Sequence, residues 1–115
     1  MKYIDLNKDI CCSDVIQCVF DLNDLDIETY KKLKETNELQ AADIAKILKK
    51  ERSTAYRSLQ RLVCSGLCIK KTKTLKKGGY YHVYLPVKKK DAKNKIDICI
   101  DNWYKKMKET IKELD

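Results

Sequence analysis

Between Ala41 and Pro86 the chain sets out two helical segments and a hairpin with very few connecting residues, and this order limits the fold more than any other feature. In Ala41–Lys49, the residues Ile44, Ala45 and Leu48 recur at helical spacing and predict a short helix with one inward face. Lys50, Glu51 and Arg52 form the turn, and Ser53 is the predicted N-cap of the next helix. That helix carries Ala55, Leu59, Leu62 and Val63 at offsets of 0, 4, 7 and 8, the pattern of a buried stripe. Thr54, Tyr56, Arg57, Ser58, Gln60 and Arg61 are left for its flanks and outer face. Gly66 is placed to end it. Two strand-like runs follow, Leu67–Thr74 and Gly79–Leu85, with Gly78-Gly79 as the turn signal between them and Pro86 closing the hairpin.

Charge is distributed unevenly over this frame. The net charge is +8, but residues 1–45 hold five lysines against ten acids, residues 46–90 hold fourteen basic residues against Glu51 alone, and residues 91–115 are balanced at six of each. A block of net +13 in the turn, second helix and hairpin suits a phosphate backbone, where counterion release rewards clustered cations. The 115 residues make one domain with room for an extension, able to bury roughly two-thirds of the unfolded surface. With 43% hydrophobic residues, one Pro and three Gly, the chain reads as folded and helix-rich. No apolar run approaches the ~20 residues of a membrane span, and Ile10–Phe20 is interrupted by Ser13, Asp14 and Gln17, so a cytoplasmic location without membrane contact is expected.

The remaining segments read as helices. The first spans about Asp9 to Asp21, offering Ile10, Cys11, Val15, Cys18 and Val19 for burial, and Asn23-Asp24 breaks it. The second runs from about Asp26 to Thr36 on Ile27, Tyr30 and Leu33, and Leu39-Gln40 adds a very short strand. The last runs from about Lys90 to Leu114, roughly 37 Å at 1.5 Å per residue. In it Ile96, Ile100, Trp103, Met107, Thr110 and Leu114 follow alternating spacings of 4 and 3, a coiled-coil-like seam that Ile111 widens. Three regions result: an N-terminal packing helix over residues 1–23, a central domain over 24–87, and a C-terminal helix over 88–115.

The first turn of the helix after Arg52 gathers the groups that read nucleic acid. Arginine pairs bidentately with guanine, and hydroxyls at a helix N-terminus suit phosphate oxygens. Arg52, Ser53, Thr54, Tyr56 and Arg57 are therefore the expected DNA contacts, with Arg61 supplying backbone affinity. Lys70, Lys71, Lys73, Lys76 and Lys77 in the hairpin are expected at phosphates or the minor groove. Tyr80 and Tyr84 read as sheet filler and His82 as an exposed strand residue. A helix, a tight turn, a second helix and a basic hairpin are the parts needed to set one helix in a DNA groove with a wing beside it.

These residues carry a family resemblance. Asp26-Ile27-Glu28-Thr29-Tyr30 matches an entry helix, Ala41-Ala42-Asp43-Ile44-Ala45 a positioning helix, and Arg52-Ser53-Thr54-Ala55-Tyr56-Arg57 with Leu59 and Leu62 a recognition helix. Ser65-Gly66-Leu67 then leads into the wing. Residues 25–87 thus resemble the winged helix-turn-helix of archaeal and bacterial regulators, above all the TrmB-like group, with MarR-like proteins close behind. The resemblance implies a mainly α fold with a small β-hairpin and a dimeric, DNA-binding transcriptional regulator. It places Ser53, Thr54, Tyr56 and Arg57 toward DNA and Lys73, Lys76 and Lys77 on the wing. The chain departs from the group at Val63-Cys64-Ser65, where Glu-Glu-Lys is usual. Larger TrmB relatives carry a C-terminal sugar-sensing domain, for which 115 residues leave no room, so no effector is assigned.

A homodimer is expected through Ile96, Ile100, Trp103, Met107 and Leu114, since a two-fold partner doubles the recognition helices and matches palindromic half-sites; the alternative is that this seam folds back on its own domain. Other readings of the same block are a winged helix that docks acidic protein partners, and an architectural DNA coat with little sequence preference. Catalysis has no support, because no Gly-rich phosphate loop or nucleophile–base pair is present. Cys11, Cys12, Cys18, Cys64, Cys68 and Cys99 contain no Cys-x-x-Cys pair and His82 is the sole histidine. The cysteines therefore read as small buried hydrophobes in a reducing compartment, with no metal or cofactor expected.

Overall fold

The computed structural model describes residues 12–114. In chain order the elements are α1 (Cys12–Phe20), α2 (Asp24–Thr36), α3 (Ala41–Leu48), α4 (Arg52–Ser65), β1 (Cys68–Thr74), β2 (Tyr80–Pro86) and α5 (Lys89–Ile111). The mainly α fold with one small hairpin is the class expected from sequence. The expected start of the first helix at Asp9, with Ile10 and Cys11, lies outside the described residues. Two units form, one over Leu22–Val87 and the other from residues 12–21 with 88–114.

In the Leu22–Val87 unit, the break at Asn23 is the cap of α2. The Asn23 side chain accepts the Asp26 N–H at 2.9 Å and the Asp26 carboxylate accepts the Asn23 N–H at 3.1 Å, a reciprocal capping box. At the other end of α4, Gly66 takes φ 82, a left-handed conformation that glycine adopts without a Cβ penalty. Ile27, Leu33, Ile44, Leu59, Leu62 and Leu67 bury against one another in the core, each burial worth about 1.5–3 kcal/mol. β1 and β2 pair antiparallel from Cys68 opposite Pro86 to Thr74 opposite Tyr80. Leu39 and Tyr84 exchange both backbone hydrogen bonds, at 3.1 and 2.8 Å, a single bridge at Leu39 where a short Leu39-Gln40 strand is expected, because Gln40 already serves as the residue before α3.

Ser58 departs from expectation. It lies three residues after Ala55 on the buried side of α4 and is fully enclosed, not on the outer face. Its hydroxyl donates to Asp26 Oδ1 at 2.7 Å and contacts Thr29 Oγ1 at 3.0 Å. Ser53 is also not the cap. Glu51 is the extended residue before α4, with no side-chain cap bond, and Ser53 is exposed within the first turn.

In the other unit, α1 packs against α5. Cys18 and Ala92 are buried and Ile96 is half-buried. Beyond them the seam is open: Trp103 is 44% exposed, Met107 52% and Leu114 76%. Among the described residues no helix is long and apolar enough to cross a membrane.

Cys18 and Cys68 are buried and Cys99 is half-buried, but Cys64 is exposed at the end of α4, unlike the buried thiol expected. Burial pushes the Cys68 thiol up to about 12. Thiol reagents are therefore expected to modify Cys64 in the native protein and Cys68 only after unfolding, as read by mass spectrometry of the digested protein. Rapid native labelling of Cys68 would contradict its enclosure.

Candidate nucleic-acid interface

The site begins at the start of α4, where the tight Lys49–Glu51 connection leaves the first turn standing clear of the core. Arg52, Ser53, Tyr56 and Arg57 are exposed and Thr54 is half-buried, while Ala55 and Ser58 face inward. With no side chain capping this helix, its first amide groups are available to solvent or to an anion.

What fixes α4 against α2 is a polar cluster that hydrophobic patterning does not reveal. Asp26 is fully buried and accepts from Arg61 Nε at 3.0 and 2.9 Å through its two oxygens. Burial alone works against the ionised Asp26 carboxyl. The hydrogen bonds from Arg61, Ser58 and the Asn23 amide, with the Arg61 charge, outweigh it and hold the group below the ordinary carboxylate range. The Asp26 bond likewise raises the already high Arg61 pKa, with burial opposing. Arg61 was expected to serve the DNA backbone. Its Nε is committed to Asp26, and the side chain is 41% exposed.

The hairpin supplies the other wall. Opposed residues share a face of an antiparallel pair, so Lys70 and Tyr84, Thr72 and His82, and Thr74 and Tyr80 project together. This face meets α4: Lys70 Nζ lies 5.9 Å from the Tyr56 ring centroid, and the Tyr56 hydroxyl accepts from Gln60 Nε2. Between the two elements and the start of α3 opens a cleft of about 510 Å³, within the roughly 300–1,000 Å³ range of ligand clefts. Arg52, Ser53 and Tyr56 line it from α4, Tyr80 and His82 from β2.

The expected wing lysines divide. Lys76 and Lys77 are exposed at the hairpin tip, where Gly78 and Gly79 take φ 94 and 87. Lys73 lies on the opposite sheet face, paired with Glu38, whose hydrogen bond raises its pKa. One residue that sequence reading left out joins the site: His82 is half-buried in the cleft, not exposed. Lys70, expected with the other wing lysines, sits on the recognition-helix side. Strand alternation puts Tyr80, His82 and Tyr84 on one face, but nothing local shows that α4 lies opposite. Among the described residues no cluster of three His, Cys, Asp or Glu is placed to hold a metal.

Comparison with known proteins gives the family and the fold. The family model described as sugar-specific transcriptional regulator TrmB matches residues 16–90. The uncharacterized protein MJ1503 of Methanocaldococcus jannaschii is 31% identical over 101 residues, covering 88% of this chain and 76% of its own length. A solved structure described as a possible transcriptional regulator from Methanosarcina mazei Go1 superimposes with a TM-score of 0.80 at 23% identity, covering 98% of this chain and 96% of that one. TrmBL2, described as an archaeal chromatin protein with a novel mode of DNA binding, gives 0.59 at 23% identity over 86% of this chain and 35% of its own. These two structures speak for the fold. The family match covers α2 through β2 without a break, and on that ground the chain belongs to the TrmB family, with the winged-helix fold of a transcriptional regulator.

Proposed function

We propose that this protein binds double-stranded DNA in a sequence-specific manner as a homodimer and regulates transcription, acting as a binding protein and not as an enzyme. The observation that supports this most is the meeting of α4's exposed first turn with the inner face of the hairpin at one cationic cleft. Ser53, Thr54, Tyr56 and Arg57 read the major groove, and Arg52 with Lys76 and Lys77 holds phosphates on either side. Lys73 reaches phosphate by exchanging Glu38 for it, and Arg61 acts mainly by holding α4 in place. The dimer forms through Ile96, Ile100, Trp103, Met107 and Leu114 on the open side of α5.

Selecting bound sequences from a random duplex pool tests the reading. A palindromic winner supports specificity and two-fold symmetry together, whereas an unenriched pool contradicts specificity. With some six cations at phosphates, log K falls with log salt at a slope of about −5. On the selected duplex, Arg57→Ala is expected to cost about 1–3 kcal/mol and relax sequence preference, while Lys76→Ala weakens every duplex alike. Equal losses for Arg57→Ala on selected and random duplex would contradict a base-reading role.

A second reading, an architectural protein that coats DNA, draws on the exposed Lys70, Lys71, Lys76 and Lys77, which can serve any sequence. A ratio near one between selected and random duplex affinities would favour it.

A further inference from the structure

We infer that the cleft between α4 and β2 is a proton-linked seat for one phosphodiester of the DNA backbone, held jointly by Arg52 and protonated His82. This rests on the duplex-binding reading and names a contact that the reading does not require. Three observations carry it: the make-up of the cleft wall, the hydrogen bond behind His82, and the position of the cleft between the two DNA-facing elements.

The wall offers donors and no competing anion. Arg52 contributes a guanidinium, Ser53 a hydroxyl next to uncapped first-turn amides, and Tyr80 a ring that is 68% exposed at the rim. No carboxylate is among the described residues lining the cleft. Asp43, at the start of α3, spends its carboxylate on the Gln40 amide at 3.0 Å. The groups facing His82 are Arg52 and Tyr56 from α4, Tyr80 and Tyr84 along β2, and Thr72 and Lys70 from β1. That set supplies no anion of its own, and its cations oppose a charged ring, so the opposite charge that favours imidazolium must come from an incoming phosphate.

Behind the ring, Thr72 Oγ1 lies 3.1 Å from His82 Nδ1. A threonine hydroxyl both donates and accepts, so it serves the neutral ring as donor and the charged ring as acceptor. In the charged ring both nitrogens are donors, and with Nδ1 turned to Thr72 the Nε2–H is left for the phosphate oxygen. The Tyr80 ring packs edge-on to the imidazole with centroids 5.5 Å apart, which holds the ring plane and gives a deoxyribose an apolar surface. On the duplex-binding reading, a strand running from a major groove filled by α4 to a minor groove beside Lys76 and Lys77 would cross this position.

Because His82 is the only histidine in the chain, proton linkage near neutrality can be assigned by one substitution. The experiment is fluorescence anisotropy with a mixed-sequence duplex at constant ionic strength. Histidine ordinarily changes charge between about pH 5 and 8, so affinity is expected to rise roughly tenfold from about pH 8 to about pH 5.5 in the intact protein. His82→Gln retains a hydrogen bond to Thr72 but takes no proton, and its affinity is expected to show no dependence on pH over this range. A flat profile in the intact protein, or an unchanged slope in His82→Gln, overturns the seat while leaving duplex binding in place. A single strand that binds tighter than duplex, with the gain lost in Tyr80→Ala, assigns the cleft to stacked bases and also overturns it. Absence of duplex binding at every pH removes the duplex reading and this inference together, a result distinct from the other two.

Discussion

Replacing Arg61 by alanine is expected to destabilise the fold by about 3 kcal/mol at neutral pH, at the lower end of the range for breaking a buried pair. The substitution leaves Asp26 fully enclosed and ionised, with Ser58 and the Asn23 amide as its remaining donors. Arg61→Ala removes the half-exposed member, so the charge stranded inside is the carboxylate. Asp26→Asn, which strands a guanidinium able to turn toward water, is expected to cost less. The pH dependence separates this account from simple loss of packing. In the intact protein the folded Asp26 pKa lies below its unfolded value. Its contribution is therefore present in full above about pH 4 and is lost as pH falls through the folded value. In Arg61→Ala burial is opposed only by Ser58 and the Asn23 amide and the folded value rises, so the variant's deficit shrinks on acidification. Urea unfolding at neutral and acid pH measures both. A deficit independent of pH would contradict the pairing as its source.

Substituting glutamate for both Trp103 and Met107 is expected to break the proposed dimer into monomers and to reduce affinity for a palindromic duplex by about 10²- to 10⁴-fold, the loss of bivalent attachment. These side chains share the open seam of α5, and four carboxylates across a two-fold axis repel. Affinity for an isolated half-site should be unchanged, because neither residue belongs to the Leu22–Val87 unit. Sedimentation and binding to the two duplexes give the answer. A dimer that survives the double substitution would place the interface elsewhere.

The sequence shows most of the scaffold because the scaffold is specified locally. The stripe of Ala55, Leu59 and Leu62, the left-handed Gly66, and the Gly78-Gly79 turn each follow from a few neighbouring residues. Asn23 shows how a local reading can be half right, since the same residue that interrupts one helix caps the next. The polar cluster is different in kind. Asp26 and Ser58 are 32 positions apart, and an aspartate in the first turn of a helix reads as a solvated N-terminal charge until its partner is known. The cleft was hidden for the same reason. Alternation gives the two faces of the hairpin, but only the packing of Tyr56 against Lys70 shows which face looks at α4. That packing brings His82 and Lys70 into the site and leaves Lys73 with Glu38 on the other side.

Amide chemical-shift mapping on titration with duplex DNA tests the central claim most directly. The account predicts shifts concentrated at Arg52–Arg57, at Lys70, Lys76, Lys77 and Tyr80–His82, and at the start of α3, with the exposed seam of α5 silent. Perturbations centred on α5, with the first turn of α4 unmoved at saturating duplex, would contradict it.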